Sequence, residues 1–170
     1  MIDPEIIKKA DLTYQVHPLL ASRWSPRAYN PKPVETEKLQ RIFEAARWSA
    51  SASNMQPWYF LVGLKGDDVY TKIFDTLVEF NQLWVINAPV LALGIVKTTN
   101  PKGAPNGYAA YDLGQAMAML SLQAQHEGIY THQMGGFDAD AAAIAFELPA
   151  DYKVMVAFTL GYSGDASVLH

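Results

Sequence analysis

Ser49-Ala50-Ser51-Ala52-Ser53-Asn54-Met55-Gln56-Pro57-Trp58-Tyr59-Phe60 lies where one apolar pattern stops and another starts. Upstream, Leu39, Ile42, Phe43 and Ala46 recur at helical spacing, with Glu37, Arg41 and Glu44 on other faces. Downstream, Trp58 to Leu64 reads as a strand. Between them sit small hydroxyl residues and two amide side chains, Asn54 and Gln56, each able to donate and accept at once. Pro57 biases Gln56 away from helix toward extended backbone, which would put Asn54 and Gln56 on one side of the chain. Such an edge suits a flat heterocycle with alternating donors and acceptors. A polar loop that only links helix to strand is the other reading, and the stretch by itself leaves both open.

Composition narrows the class. The 170 residues suit one domain, expected to span 1–170, and half of them are hydrophobic, enough for a sizeable core. There is no cysteine, so disulfides, zinc-thiolate sites and cysteine nucleophiles are excluded. A net charge of -4 gives no support for nucleic-acid binding. Met1 to Glu5 lacks the basic opening and apolar run of a signal peptide, and no apolar run is long enough to span a bilayer. A cytoplasmic protein without a membrane partner is expected. The charges are unevenly spread. All four arginines, Arg23, Arg27, Arg41 and Arg47, fall in the first third, whereas Gly103 onward holds seven acidic residues and one lysine, Lys153.

Outward from the opening stretch, Ser22-Arg23-Trp24-Ser25-Pro26-Arg27 gathers two guanidinium groups, hydroxyls and backbone N–H groups within a few residues. That donor set fits a phosphate, because arginine presents a planar fork to the anion's oxygens. Arg41 reads instead as part of a solvated helix face. A short helix is expected over Ile2 to Ala10, and a helix from Thr36, as its cap, to about Trp48. Gly66-Asp67-Asp68 opens a further helix running to about Phe80. Pro89 to Val96 is almost wholly apolar, as a strand buried on both faces would be. After a loop over Lys97 to Gly107, the longest helix runs from Tyr108 to Glu127. Its line Leu113, Met117, Leu120 and Ala124 is joined by Ala109, Ala110, Ala116, Ala118 and Met119, so it is apolar nearly all round and asks for a second surface, such as another subunit. Gly128 ends it, and Ile129 to Met134 is a strand leading to Gly135-Gly136-Phe137-Asp138. That glycine pair either lets backbone approach a ligand or merely turns the chain, with Asp138 capping a helix to Phe146. Val154 to Leu160 is the last strand.

Other constellations fail on spacing. Gly161-Tyr162-Ser163-Gly164 misses the nucleophile elbow of serine hydrolases. His126 and His132 have no zinc-ligand pattern, so no metal is expected. Neither a dinucleotide-binding glycine fingerprint nor a Walker loop occurs.

Three segments together resemble the nitroreductase family of FMN-dependent enzymes. They are Arg23-Trp24-Ser25-Pro26-Arg27; Ala45-Ala46-Arg47-Trp48-Ser49 continuing through Ser53-Asn54-Met55-Gln56-Pro57-Trp58; and Met134-Gly135-Gly136-Phe137-Asp138 followed by Leu160-Gly161-Tyr162. The resemblance covers about residues 17 to 165. It implies an α+β fold, a mixed, mainly antiparallel sheet flanked by helices, in a homodimer with FMN at the subunit interface. It implies that Arg23 and Ser25 hold the FMN phosphate with backbone help from Trp24. Arg27 would lie toward the pyrimidine end, Asn54 and Gln56 would read the pyrimidine edge, and Met134, Gly135 and Gly136 would approach the flavin near N5. The implied activity is oxidoreduction in two half-reactions: NADH or NADPH delivers hydride to flavin N5, then a flat nitroaromatic or quinone takes it. No catalytic side chain is expected, since the cofactor carries the hard chemistry. The short Lys97 to Gly107 loop, where some relatives insert a lid helix, implies an open pocket. Relatives usually continue into a basic tail that also grips the phosphate. This sequence ends at Val168-Leu169-His170, so weaker FMN affinity and a less secure dimer are expected. A flavin-binding module with little turnover, or another flavin reaction on the same fold, are the alternatives.

Overall fold

A computed structural model describes residues 10–169. The helix expected over Ile2 to Ala10 lies outside them apart from Ala10. In chain order the elements are α1 (Pro18–Ser22), α2 (Thr36–Arg47), β1 (Trp58–Leu64), α3 (Asp68–Phe74), α4 (Glu79–Val85), β2 (Val90–Lys97), α5 (Ala109–His126), β3 (Tyr130–Met134), α6 (Ala139–Ala145) and β4 (Tyr152–Gly161).

The four strands form one sheet in the order β1-β2-β4-β3. Every pairing in it is antiparallel. The expected mixed character is therefore absent among the described residues, because each strand finds its neighbour through a reversal of chain direction. β2 is central, and its apolar run explains why. Val90, Ala92 and Val96 pack on one side against α2 and α5, with Ile42, Ala46, Leu113, Met117, Leu120 and Ala124. Leu91, Leu93 and Ile95 pack on the other against Tyr70, Ile73, Trp84, Val85 and Ala142 from α3, α4 and α6. The two-residue alternation thus feeds two cores, giving helices over both faces of the sheet. Gly63 marks how closely α3 approaches: a Cβ there would stand 2.3 Å from the Tyr70 amide nitrogen. No helix among the described residues is long and apolar enough to cross a membrane.

Two local expectations need correction. Thr36 is the first helical residue of α2 rather than its cap; Glu35, in extended backbone, precedes it. The helix expected to reach Phe80 in one piece stops at Phe74, and α4 begins afresh at Glu79. The cause of the break is tertiary: Leu77 bridges Phe137, Val78 N–H donates to Gly136 O at 3.1 Å, and Asp138 N–H donates to Thr76 O at 2.8 Å. Arg41 is exposed on α2, as expected of a solvated helix face, and its guanidinium also forks onto Glu127 at 2.7 and 2.9 Å, clipping α2 to the end of α5.

α5 meets its expectation in part. Leu113, Met117, Leu120 and Ala124 are buried, while Tyr111 and Met119 on its other face are exposed.

Candidate functional site

From Arg23 to Glu35 the chain forms no helix and only one isolated bridge, Tyr29 to Ser163. Its start is tethered to the α5 layer, where Gln125 Nε2 lies 3.4 Å from both the carbonyl and the hydroxyl of Ser22. Its end is buried in the opposite layer: Tyr29 packs in the second core, with its hydroxyl 2.7 Å from Thr159 Oγ1. Burial raises the Tyr29 phenol well above its ordinary value, so it stays protonated. The segment therefore wraps around the free edge of β3. Trp24 lies edge-on to Tyr130 of that strand at 6.0 Å between ring centres. Arg23, Ser25 and Arg27 are exposed along the wrap. Arg23 Nη1 is 3.4 Å from Ser25 Oγ, and the Arg27 guanidinium sits 5.1 Å over the Phe80 ring.

The glycine pair lies beside this segment, at the end of β3. Gly136 is fixed by its carbonyl, which accepts from Val78 N–H and, at 2.9 Å, from Asn81 Nδ2. A Cβ on Gly136 would come within 2.6 Å of Asn81 Nδ2 and 3.0 Å of Val78 Cγ2, so any larger residue would push the Asn81 amide off the Gly136 carbonyl. Gly135 borders open space instead. Its carbonyl accepts from Phe137 N–H at 3.0 Å, a γ-turn type of bond. Among the described residues, neither the Gly135 nor the Gly136 N–H has a protein acceptor. Met134 is buried and anchors the pair. Asp138 caps α6 by accepting from Asp140 and Ala141 N–H at 3.0 and 2.9 Å. Both readings of the glycine stretch thus have support: the turn-and-cap is built, and two backbone donors are left without a protein acceptor.

The amide pair is built differently from the expectation. Asn54 and Gln56 do share one side, with Gln56 Nε2 2.7 Å from Asn54 Oδ1. Extended backbone is not the reason. Ser53, Asn54 and Gln56 all have positive φ, at 52°, 54° and 47°. Left-handed backbone at three non-glycine residues costs conformational energy, so something must hold the loop. Two contacts do. Ser51 Oγ accepts from Gln56 N–H at 3.0 Å. Asp112 of α5, 1 % exposed, accepts from Ala52 N–H with both carboxylate oxygens at 3.2 Å.

One chain does not bring all three groups together. The Arg23–Arg27 segment and the Gly135–Gly136 pair share the β3 edge, while the amide pair leads into β1, the opposite edge. α5 gives the scale: the amide loop is tied to Asp112 and Ser22 to Gln125, thirteen positions apart, or roughly 20 Å along a helix.

Three supporting roles are not visible in the sequence: those of Asn81, of Asp112, and of His132, which the sequence offers only as an unsuited metal ligand. Each acts on a backbone group far away, across 55, 60 and 106 positions respectively. The one local signal was a carboxylate at Asp112 inside an apolar helical stripe. Among the described residues no cluster of His, Asp or Glu could hold a metal ion.

Comparison with known proteins gives concordant results. The model of the family described as "Nitroreductase family" matches residues 20–79 and 65–162. The crystal structure of an oxidoreductase containing FMN is 35% identical, with a TM-score of 0.89 over 94% of this chain and 82% of that one. A provisionally named NADH dehydrogenase/NAD(P)H nitroreductase from Archaeoglobus fulgidus is 26% identical over 86% of this chain and 84% of its own length. A provisionally named nitroreductase from Exiguobacterium sibiricum, solved in complex with FMN, shares the fold at a TM-score of 0.77 and 22% identity, over 94% of this chain and 92% of that one.

Proposed function

This chain belongs to the nitroreductase family, and from that premise we propose that it is a homodimeric, FMN-dependent oxidoreductase that uses NAD(P)H to reduce flat acceptors of the nitroaromatic or quinone type. One observation carries the reading: exposed guanidinium groups, the Ser25 hydroxyl and two backbone N–H groups without a protein acceptor share one edge of the sheet. That donor set fits FMN, with an anion at one end and a hydrogen-bonding ring at the other.

The roles follow from chemistry. Arg23 and Ser25 donate to the phosphate. Arg27 puts positive charge where the reduced ring carries negative charge. Gly135 and Gly136 offer N–H donors toward N5 without a side chain in the way. Bound FMN supplies the two-electron chemistry, taking hydride from NAD(P)H and passing it to the acceptor. Asn54 and Gln56, leading into the opposite edge of the sheet from the guanidinium groups, would reach that ring from a second copy. The exposed face of α5, with Tyr111 and Met119, supports such a pairing.

Anaerobic mixing of the purified, FMN-loaded protein with NADH or NADPH tests the reading. Prompt bleaching of the flavin, reversed by a quinone, is expected. Protein that stays colourless with added FMN would overturn it. Bound flavin that neither nucleotide reduces would favour the binding module.

A further inference from the structure

The proposed function leaves His132 unused. It stands on β3 facing the α3–α4 side, and its Nδ1 lies 2.9 Å from the carbonyl oxygen of Pro26. A carbonyl only accepts, so Nδ1 carries the hydrogen and donates. Pro26 itself has no N–H, which leaves its carbonyl as the handle by which the segment can be held. The neighbouring backbone tethers are Arg23 N–H to Leu20 O on one side and Gly164 N–H to Ala28 O on the other. Between them, among the described residues, the backbone of Ser25, Pro26 and Arg27 is tied by His132 alone.

The imidazole is itself held. Its ring lies 4.6 Å from the Trp84 ring, tilted by 37°. Trp84 is buried, stacks on Tyr29 at 6.3 Å, and donates through Nε1 to Asn81 Oδ1 at 3.3 Å. Asn81 is the residue that also fixes the Gly136 carbonyl. One rigid cluster therefore sets both the glycine pair and, through His132, the arginine segment. Desolvation, with Arg27 adding repulsion, lowers the His132 pKa below its ordinary value, so the ring stays neutral near neutral pH.

We infer that His132 is a positioning residue for phosphate recognition: by holding the Pro26 carbonyl it presets Ser25, next in the chain, beside Arg23, and so favours flavin that carries a phosphate over flavin that does not. This rests on the flavin reading above. Asn54 and Gln56 are not attached to this cluster, and the glycine pair is held by Asn81 directly rather than through His132, so loss of the bond to Pro26 bears on the phosphate more than on the ring.

Titration of the full-length apoprotein with FMN and with riboflavin, followed by flavin fluorescence, tests the inference. His132→Leu keeps bulk and removes the donor; His132→Asn keeps an N–H near the place of Nδ1. For His132→Leu, FMN affinity is expected to fall about tenfold and riboflavin affinity less than about twofold, as one lost hydrogen bond to a placed loop allows. For His132→Asn, FMN affinity is expected to return to within about threefold of wild type. Should the leucine variant not fold, His132→Val, suited to a strand, replaces it and the same ratio decides. Equal losses for both flavins, or no loss, would overturn the inference while leaving the flavin reading intact. Wild-type protein that binds neither flavin would overturn both.

Discussion

The Arg23–Arg27 segment and the Ser51–Gln56 loop are both short, polar and irregular, yet they are made in opposite ways. In the first, the backbone is ordinary, and the chemistry rides on long charged side chains whose placement depends on one imidazole. In the second, the side chains are short and neutral, and the chemistry rides on left-handed backbone at Ser53, Asn54 and Gln56. A charged side chain can reach for an anion and tolerates some looseness; a pair of amides reading a ring edge does not. The buried Asp112 carboxylate beneath the second loop, against the half-buried His132 imidazole beneath the first, fits that contrast.

Substitution can pull the two regions apart. The largest effect is expected for Arg23→Ala with Arg27→Ala. Removing two charge-assisted contacts of about 1.5–3 kcal/mol each, Arg23's to the phosphate and Arg27's to the ring, should weaken FMN at least about a hundredfold and riboflavin only by Arg27's share, about tenfold. Isothermal titration with both flavins measures this, and equal losses would refute the division of labour. A smaller effect is expected for Asp112→Ala, which leaves the Ala52 N–H without its acceptor. Stability should drop by about 1–3 kcal/mol in urea denaturation, and both flavins should weaken in parallel. Unchanged stability would mean that the strained loop holds itself.

The smallest effect is on pH. The His132 pKa lies below its ordinary 6.5, so in the window between the two values the unfolded chain binds a proton that the folded chain does not. Stability therefore rises with pH across that window and is lost on acidification. The exposed carboxylates act lower down. Glu35, held to about 2 by Tyr162 and Lys32, and Glu44, lowered by Arg47, contribute above the ordinary 4.5 and lose that contribution only as pH falls below it. Urea midpoints measured from about pH 7 to 5 should slope downward in wild type and flatten in His132→Asn. An identical slope in both would assign the loss to another group.

Much of the fold was legible because it is local. The unbroken apolar run from Val90 to Val96 could only be a strand covered on both faces, and Leu113, Met117, Leu120 and Ala124 could only be one face of a helix. The site was legible as residue types and obscure as geometry. Asn54 and Gln56 were correctly put on one side, but through the wrong backbone, since Pro57 excludes helix without choosing between extended and left-handed conformations. The break between α3 and α4 was missed because Leu77 and Val78 leave the helix to pair with residues near Gly136, some sixty positions on. Asp112, Asn81 and His132 stayed hidden for the same reason: each holds a carbonyl or N–H that no sequence pattern exposes.

The central claim is that the guanidinium grip and the amide grip belong to one flavin site yet cannot meet within a chain. Mixing two defective variants measures this directly. One carries Arg23→Ala and Arg27→Ala; the other carries Asn54→Ala and Gln56→Ala. Refolded together, they should regain wild-type FMN affinity in about one site in four, since a mixed pair joins one intact grip from each copy. A mixture that binds FMN no better than the two variants kept apart would contradict the account.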